Sequence, residues 1–171
     1  LKRMFEGDNH APAAAPEVRI INFSIGDPVR AFHGVMSPLA RLLDWLSYKY
    51  NVLFIISAGN IQGQVIPLEC NIEEFKTKRQ EEISKYISKA LTDNCIEHKI
   101  FSPAESINNL TVGAVHVDSS SIPDYPAMVN PFDCLHPAIY STFGGGHRNS
   151  IKPDLLYNGG RQLLYDKYVY E

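Results

Sequence analysis

The sequence predicts an α/β fold built on a parallel sheet, and three observations carry that prediction. Two nearly continuous apolar runs rich in β-branched residues, Val18 to Ile25 and Val52 to Ser57, suit strands buried on both faces. Between them, Leu39, Leu42, Leu43 and Leu46 recur at the spacing of one helical face. A strand, helix and second strand over residues 18–57 join two parallel strands through a right-handed crossover.

The elements follow in order along the chain. Residues 1–17 are polar and then rich in Ala and Pro, from Ala11 to Pro16, which predicts a lead-in or linker with a restricted backbone. The first strand closes at Gly26-Asp27-Pro28. Ser37 offers an N-cap with Pro38 at the first helical position, and the helix is predicted to run to about Tyr50. The second strand stops at Ala58-Gly59-Asn60. Residues 71–94 predict a helical insertion: Asn71 caps, Glu73 and Glu74 lie in the first turn, and Ile72, Phe75, Ile83, Tyr86, Ile87, Ala90 and Leu91 trace an apolar stripe. Such a stripe serves either as the helix's seat on its own domain or as a docking face. Leu110 to Val117 predicts another strand, with Gly113 marking a close backbone approach. Residues 118–137 read as a long surface loop and 161–171 as a C-terminal tail, so the predicted domain spans 18–160.

Composition narrows the possible partners. The 171 residues carry 16 Lys and Arg against 19 Asp and Glu, a net charge of −3, with 44% hydrophobic residues, which fits one globular domain. No basic cluster interleaves with the aromatic residues, so nucleic acid is not an expected partner. The longest apolar runs fall far below the ~18 residues of a membrane span, and the N-terminus has no apolar signal core, so no membrane association is expected. Cys70, Cys95 and Cys134 are an odd number without metal-ligand spacing, which leans towards a reducing, intracellular compartment. Cys134 and His136 lack the second pair of a zinc site, so no cofactor is expected in this chain; no acidic cluster here has calcium-ligand spacing, and structural calcium in the intact protein is left open. The first residue is Leu, as in a processed product or a piece of something longer.

In parallel sheets, ligands bind beyond the carboxyl ends of the strands. Here that edge comprises Ser24 to Gly26 and Ser57 to Asn60, which the crossover sets side by side. The amide of Asn60 is a neutral N–H donor at every working pH, suited to stabilising an oxyanion, although Ala58-Gly59-Asn60 also makes a good exit from a strand. The extended Ser24-Ile25-Gly26 backbone can pair with a peptide as an added strand.

Read together, the segments resemble the subtilisin-like serine peptidases, the subtilases (peptidase family S8). Ile20 to Gly26 is similar to the family's Ile-Asn-x-Ser-Leu-Gly strand, and Asn51 to Asn60 to its Val-Val-x-Ala-Ala-Gly-Asn strand, with the helix Ser37 to Tyr50 between. Ser102 to Ala114 resembles Tyr-Pro-Ala followed by Val-Ile-Thr-Val-Gly-Ala, Tyr140 to Gly144 resembles Phe-Ser-x-x-Gly, and Ile151 to Leu155 resembles Lys-Pro-Asp-Ile. These segments occur in the family's order over roughly residues 18–158. The resemblance implies a three-layer subtilisin-like fold, here partial. It also implies Asn60 as the side-chain oxyanion donor, and Ser24, Ile25, Gly26, Ser57, Ala58 and Gly59 as walls of the pocket for the substrate residue before the scissile bond. Pro103 is implied at the far wall, after a peptide bond that is either cis or trans. Small Ser57 and Ala58 suggest a roomy pocket for large apolar side chains.

The family's triad motifs are missing: no Asp-Ser/Thr-Gly and no His-Gly-Thr precede Asn60, and no Gly-Thr-Ser follows it. His33-Gly34-Val35 comes too late in the chain for the histidine motif and reads as a loop. Ser141 stands where the family has a structural serine, and Ser119 to Ser121 lie in the long loop. Gly144 to Arg148 lacks the Lys-Ser/Thr ending of a phosphate loop and reads as a turn. After Lys-Pro-Asp, the sequence has Tyr157 to Gly160 where the family has Ala-Pro-Gly. The expectation is therefore an internal piece of a serine endopeptidase acting on peptide or protein substrates, inactive alone and prone to self-association through exposed strand edges. A non-catalytic peptide- or partner-binding module is the alternative. A nucleotide-binding module would need a glycine-rich loop after the first strand, which Gly26 to Arg30 does not supply.

Overall fold

The structure, a computed structural model, describes residues 1–63, 65–68, 70–93, 98–121, 128–133 and 135–165. Cys95, Cys134, the middle of the 118–137 segment and the end of the 161–171 tail lie outside the described residues. The elements are α1 (Lys2–Phe5), β1 (Ile20–Phe23), β2 (Asp27–Ala31), α2 (Pro38–Tyr50), β3 (Leu53–Ser57), α3 (Ile72–Lys76), α4 (Gln80–Asp93), β4 (Phe101–Ser102), β5 (Leu110–Val115), β6 (Met128–Val129), β7 (Gly144–Gly145), β8 (Ile151–Lys152), β9 (Leu155–Asn158) and β10 (Leu164–Tyr165). Four strands form the central sheet in the order β1, β3, β5, β9, all parallel. The strand, helix and strand over residues 18–57 are as the sequence predicts.

Helix α2 forms as its sequence dictates. Ser37 Oγ accepts from Ala40 N at 3.1 Å, Pro38 opens the first turn, and Asn51 closes the helix in the left-handed region at φ 52°. The face on the sheet consists of Ala40, Leu43, Leu46 and Ser47 with Leu39 beside them, whereas Leu42 lies on the flank, 40% exposed. At 100° per residue Leu42 falls about 60° from Leu39, enough to leave the seam. Leu43 and Leu46 pack on Phe54 and Ile56 of β3 and are fully buried, each contributing on the order of 2 kcal/mol. Residues 1–17 contribute to the same core: Phe5 stacks on Tyr50 with centroids 4.8 Å apart.

Burial of the strands is one-sided. The sequence predicts strands covered on both faces, but Ile20 is 63% exposed and β3 alternates between buried and partly open positions. Helix α2 covers the face of Ile21, Phe23, Phe54 and Ile56. The opposite face, carrying Ile20, Leu53, Ile55, Val112 and Leu155, is not covered by any helix among the described residues. The runs are apolar on both sides, so periodicity alone could not reveal that one side stands open.

The segment 71–94 is two helices, not one. Thr77 N and Oγ1 both donate to Glu74 O, at 3.1 and 2.7 Å, closing α3 before α4 begins at Gln80. Asn71 caps α3 as expected, with Oδ1 accepting from Glu74 N at 2.8 Å. Ile72, Phe75, Ile83, Ile87 and Leu91 are buried in a second core with Val129, Phe132 and Ile139. Ser84 Oγ donates to Pro131 O at 3.1 Å and Gln80 Nε2 to Asn130 O at 3.1 Å, fastening the helix further. The apolar stripe is the helix pair's own seat, so the face that a docking helix would offer is occupied by this chain.

Three other sequence features have physical explanations. A Cβ on Gly113 would lie 2.7 Å from Leu156 and 2.8 Å from Pro153, the close approach expected of that glycine. Lys152 is buried and donates to Asp154 Oδ2 at 2.7 Å and to Asn109 O at 3.3 Å, while Thr111 N donates to the same Asp154 oxygen at 2.6 Å. The Lys-Pro-Asp segment thus clamps β9 to β5. Gly144 to Arg148 is part of a hairpin, with β7 antiparallel to β8 and a 3-10 turn at His147–Asn149 between them.

Candidate functional site

The pairing of Ile20 with Leu53 through Phe23 with Ile56 aligns the ends of β1 and β3, so Ser24–Gly26 and Ser57–Asn60 leave the sheet side by side. A Cβ built on Gly26 would lie 3.7 Å from Gly59 Cα, so a single methyl group would bridge the space between the two segments at this point. Ser24 Oγ donates to Asn22 Oδ1 at 2.8 Å, and Ser57 Oγ accepts from Gly59 N at 3.3 Å. Both serines line a concavity of about 410 Å³ that continues onto the open sheet face between Ile55, Val112 and Tyr157. Ile25 is exposed, whereas Ala58 and Gly59 are buried.

The exit from β3 is held from the other side by residues 140–142. Thr142 Oγ1 donates to Ala58 O at 2.6 Å, Thr142 N donates to Gly59 O at 3.2 Å, and Ile61 N donates to Tyr140 O at 2.8 Å. Asn60 bridges to Ser141 through the backbone. Its own residue is exposed, and among the described residues its amide side chain makes no hydrogen bond. A neutral donor is thus held free at the rim of the sheet's carboxyl edge by a buried hydroxyl behind it. Burial raises the pKa of the Tyr140 phenol above its ordinary value, and its hydroxyl donates to Gly159 O at 2.5 Å. It is neutral at physiological pH.

Residues 101–103 reach this edge from the far side. Phe101 N donates to Ala58 O at 2.9 Å, β4 pairs with β2, and the Ser102–Pro103 bond is cis. Pro103 is buried, but it is Phe101 that meets Gly26 and Gly59. Sequence reasoning missed Phe101, since a single aromatic ahead of Ser-Pro carries no periodic signal. It also missed Thr142, whose only cue was its place after Ser141. Glu105 is buried, and its Oε1 accepts from Ser37 N at 2.9 Å and Ser102 Oγ at 3.2 Å, tying this turn to the start of α2.

The remaining polar candidates lie elsewhere. His33 is exposed in a loop with Nδ1 3.0 Å from Lys99 Nζ. Ser141 is buried, its Oγ accepting from Ala114 N at 3.0 Å, as befits a structural serine. Ser120 and Ser121 present their carbonyls to Arg161. Among the described residues no group of three His, Cys, Asp or Glu is placed to hold a metal ion, and no helix is long and apolar enough to cross a membrane.

Comparison with known proteins fits this geometry. The family model described as "Subtilase family" matches residues 4–170. The chain belongs to the subtilase family. The match reaches into the lead-in as well as the sheet, so Met4 and Phe5 of α1, which pack into the α2 core, fall within the family region. A curated relative from Sinorhizobium fredii (strain NBRC 101917 / NGR234), named "Uncharacterized protein y4bN", is 28% identical over 155 residues. That alignment covers 88% of this chain and 33% of the relative, so the chain spans about a third of the relative's length. No solved structure matches. The parallel α/β sheet is consistent with the subtilase fold, and the family relationship is to serine peptidases.

Proposed function

We propose that this chain is the substrate-binding part of a subtilisin-type serine endopeptidase, with Asn60 donating its amide N–H to the oxyanion of the tetrahedral intermediate. The observation that carries the reading is the exposed Asn60, without a side-chain partner among the described residues, on a strand exit fixed by Thr142. In this reading, Ser24, Ile25 and Gly26 pair with the substrate backbone, and Ser57, Ala58, Gly59 and Pro103 enclose the side chain before the scissile bond.

The Asp, His and Ser of the triad belong to flanking parts of the polypeptide. There the Asp orients the His, and the His takes the proton of the Ser hydroxyl as its oxygen bonds to the scissile carbonyl carbon. The His then returns the proton to the departing amine as the C–N bond breaks. Residues 1–171 alone, carrying no triad motif, bind peptide without cleaving it.

The test is peptide hydrolysis by the full-length protein and its Asn60→Ala variant. The expected loss in kcat is ~10²–10³, a magnitude that comes from subtilisin's own oxyanion asparagine, with KM little changed. An unaltered kcat in the variant removes Asn60 from the mechanism. A full-length protein that neither cleaves peptides nor reacts with a fluorophosphonate overturns the peptidase reading.

A further inference from the structure

The space between the two candidate pocket walls is already occupied. Phe101 is only 8% exposed, yet it belongs to neither apolar core cluster. It packs instead on the two glycines of the walls. A Cβ added to Gly59 would lie 2.6 Å from Phe101 Cδ2 and 2.7 Å from its Cγ, and one added to Gly26 would lie 3.4 Å from Phe101 Cβ. The aromatic ring therefore rests on the bare Cα of Gly59, and its stem lies against Gly26. The backbone around it is fixed by Phe101 N donating to Ala58 O at 2.9 Å and by the β2–β4 pairing. Swinging the ring aside would expose a buried aromatic surface, which opposes the movement.

Resting on the peptidase reading above, we propose that Phe101 is a specificity-determining residue that plugs the pocket for the side chain before the scissile bond. The pocket then accepts Gly, Ala or Ser and excludes large apolar side chains. This reverses the expectation drawn from small Ser57 and Ala58. Those residues leave room along the walls, but the ring of Phe101 fills the space between them. Opening the pocket requires a change at Phe101, not at the walls.

The test uses the full-length protein with peptide substrates that differ only in Ala or Phe before the scissile bond. It is run on the wild type, on Phe101→Ala, and on Phe101→Leu as a milder variant should the alanine fail to fold. The wild type is expected to favour Ala over Phe in kcat/KM by about tenfold or more, and the variants to lose or invert that preference. A wild type that favours Phe, or variants that keep activity with the ratio unchanged, overturns the plug and leaves the peptidase reading standing. Absence of cleavage by every form overturns the peptidase reading instead, and equilibrium binding of indole then decides the plug. Indole binding gained on truncating Phe101 supports a ring-sized site there, and no gain overturns it.

Discussion

Gly59 is the position where this architecture is least tolerant of a single methyl group. Its φ of +118° lies in a region that side chains with a Cβ rarely adopt, a cost of roughly 1–3 kcal/mol. A Cβ there would also stand 2.6, 2.7 and 3.0 Å from three carbons of Phe101, whose stem cannot move without disturbing β4. Overpacking of that kind adds about 1–3 kcal/mol. Gly34 is the natural control, since it has φ +96° and nothing within 4 Å of an added Cβ, so Gly34→Ala bears the backbone cost alone. Gly59→Ala should therefore be less stable than Gly34→Ala by about 1–3 kcal/mol in urea denaturation, or roughly 2–4 °C of Tm per kcal/mol for a chain of this size. In a Phe101→Ala background the excess should vanish, because the clash goes with the ring while the backbone cost stays. Equal stabilities for Gly59→Ala and Gly34→Ala, or an excess that survives removal of the ring, would refute the packing of Phe101 on Gly59.

Two further outcomes follow from other parts of the molecule. Glu6 is held at about 2, below its ordinary 4.5, first by the Lys49 ammonium and then by the Tyr50 hydroxyl. Its stabilising effect is complete above pH 4.5 and is lost as pH falls through about 2, so Glu6→Gln should flatten the acid limb of Tm against pH across that window. We also propose that residues 1–171 expressed alone self-associate through the open sheet face and the strand edges beside it. Leu53→Lys with Leu155→Lys should shift sedimentation profiles towards monomer, whereas a wild-type chain that is monomeric at every concentration counts against the proposal.

The parts of the fold legible in the sequence are those written in local chemistry. Ser37-Pro38 and Asn51 mark both ends of α2, the alternation of strand and helix sets β1 beside β3, and Gly113 sits where Leu156 and Pro153 close in. The less legible features depend on partners distant in sequence. The break between α3 and α4 hangs on Thr77 folding back onto Glu74, in a stretch whose apolar spacing does not announce it. Leu42 falls off the seam because Ala40 and Ser47, weak signals in a periodicity count, take the buried side of α2. At the candidate site, Asn60 and the five small residues Ser24, Gly26, Ser57, Ala58 and Gly59 stand out in sequence because they fall directly after two apolar strand runs. Phe101 does not, since its role depends on landing against two glycines 75 and 42 positions earlier in the chain.

The two faces of the sheet have different relations to the candidate site. On the α2 side, the core of Phe54, Ile56, Leu43 and Leu46 fixes β3 from behind, and Thr142 pins the carbonyls of Ala58 and Gly59, so the position of Asn60 is set by groups within this chain. On the open side, the concavity lined by Ser24 and Ser57 runs directly onto Ile55, Val112 and Tyr157, so whatever packs on that face also borders the carboxyl edge of the sheet. On the peptidase reading proposed above, the triad would therefore meet a rim that is already shaped. That division of labour makes a distinct demand on the variants. Thr142→Val, which removes the hydroxyl behind Asn60 while keeping its shape, should shift the Asn60 amide without touching the open face, whereas lysines on the open face should reduce the proposed self-association while leaving the Ala58–Thr142 contact intact.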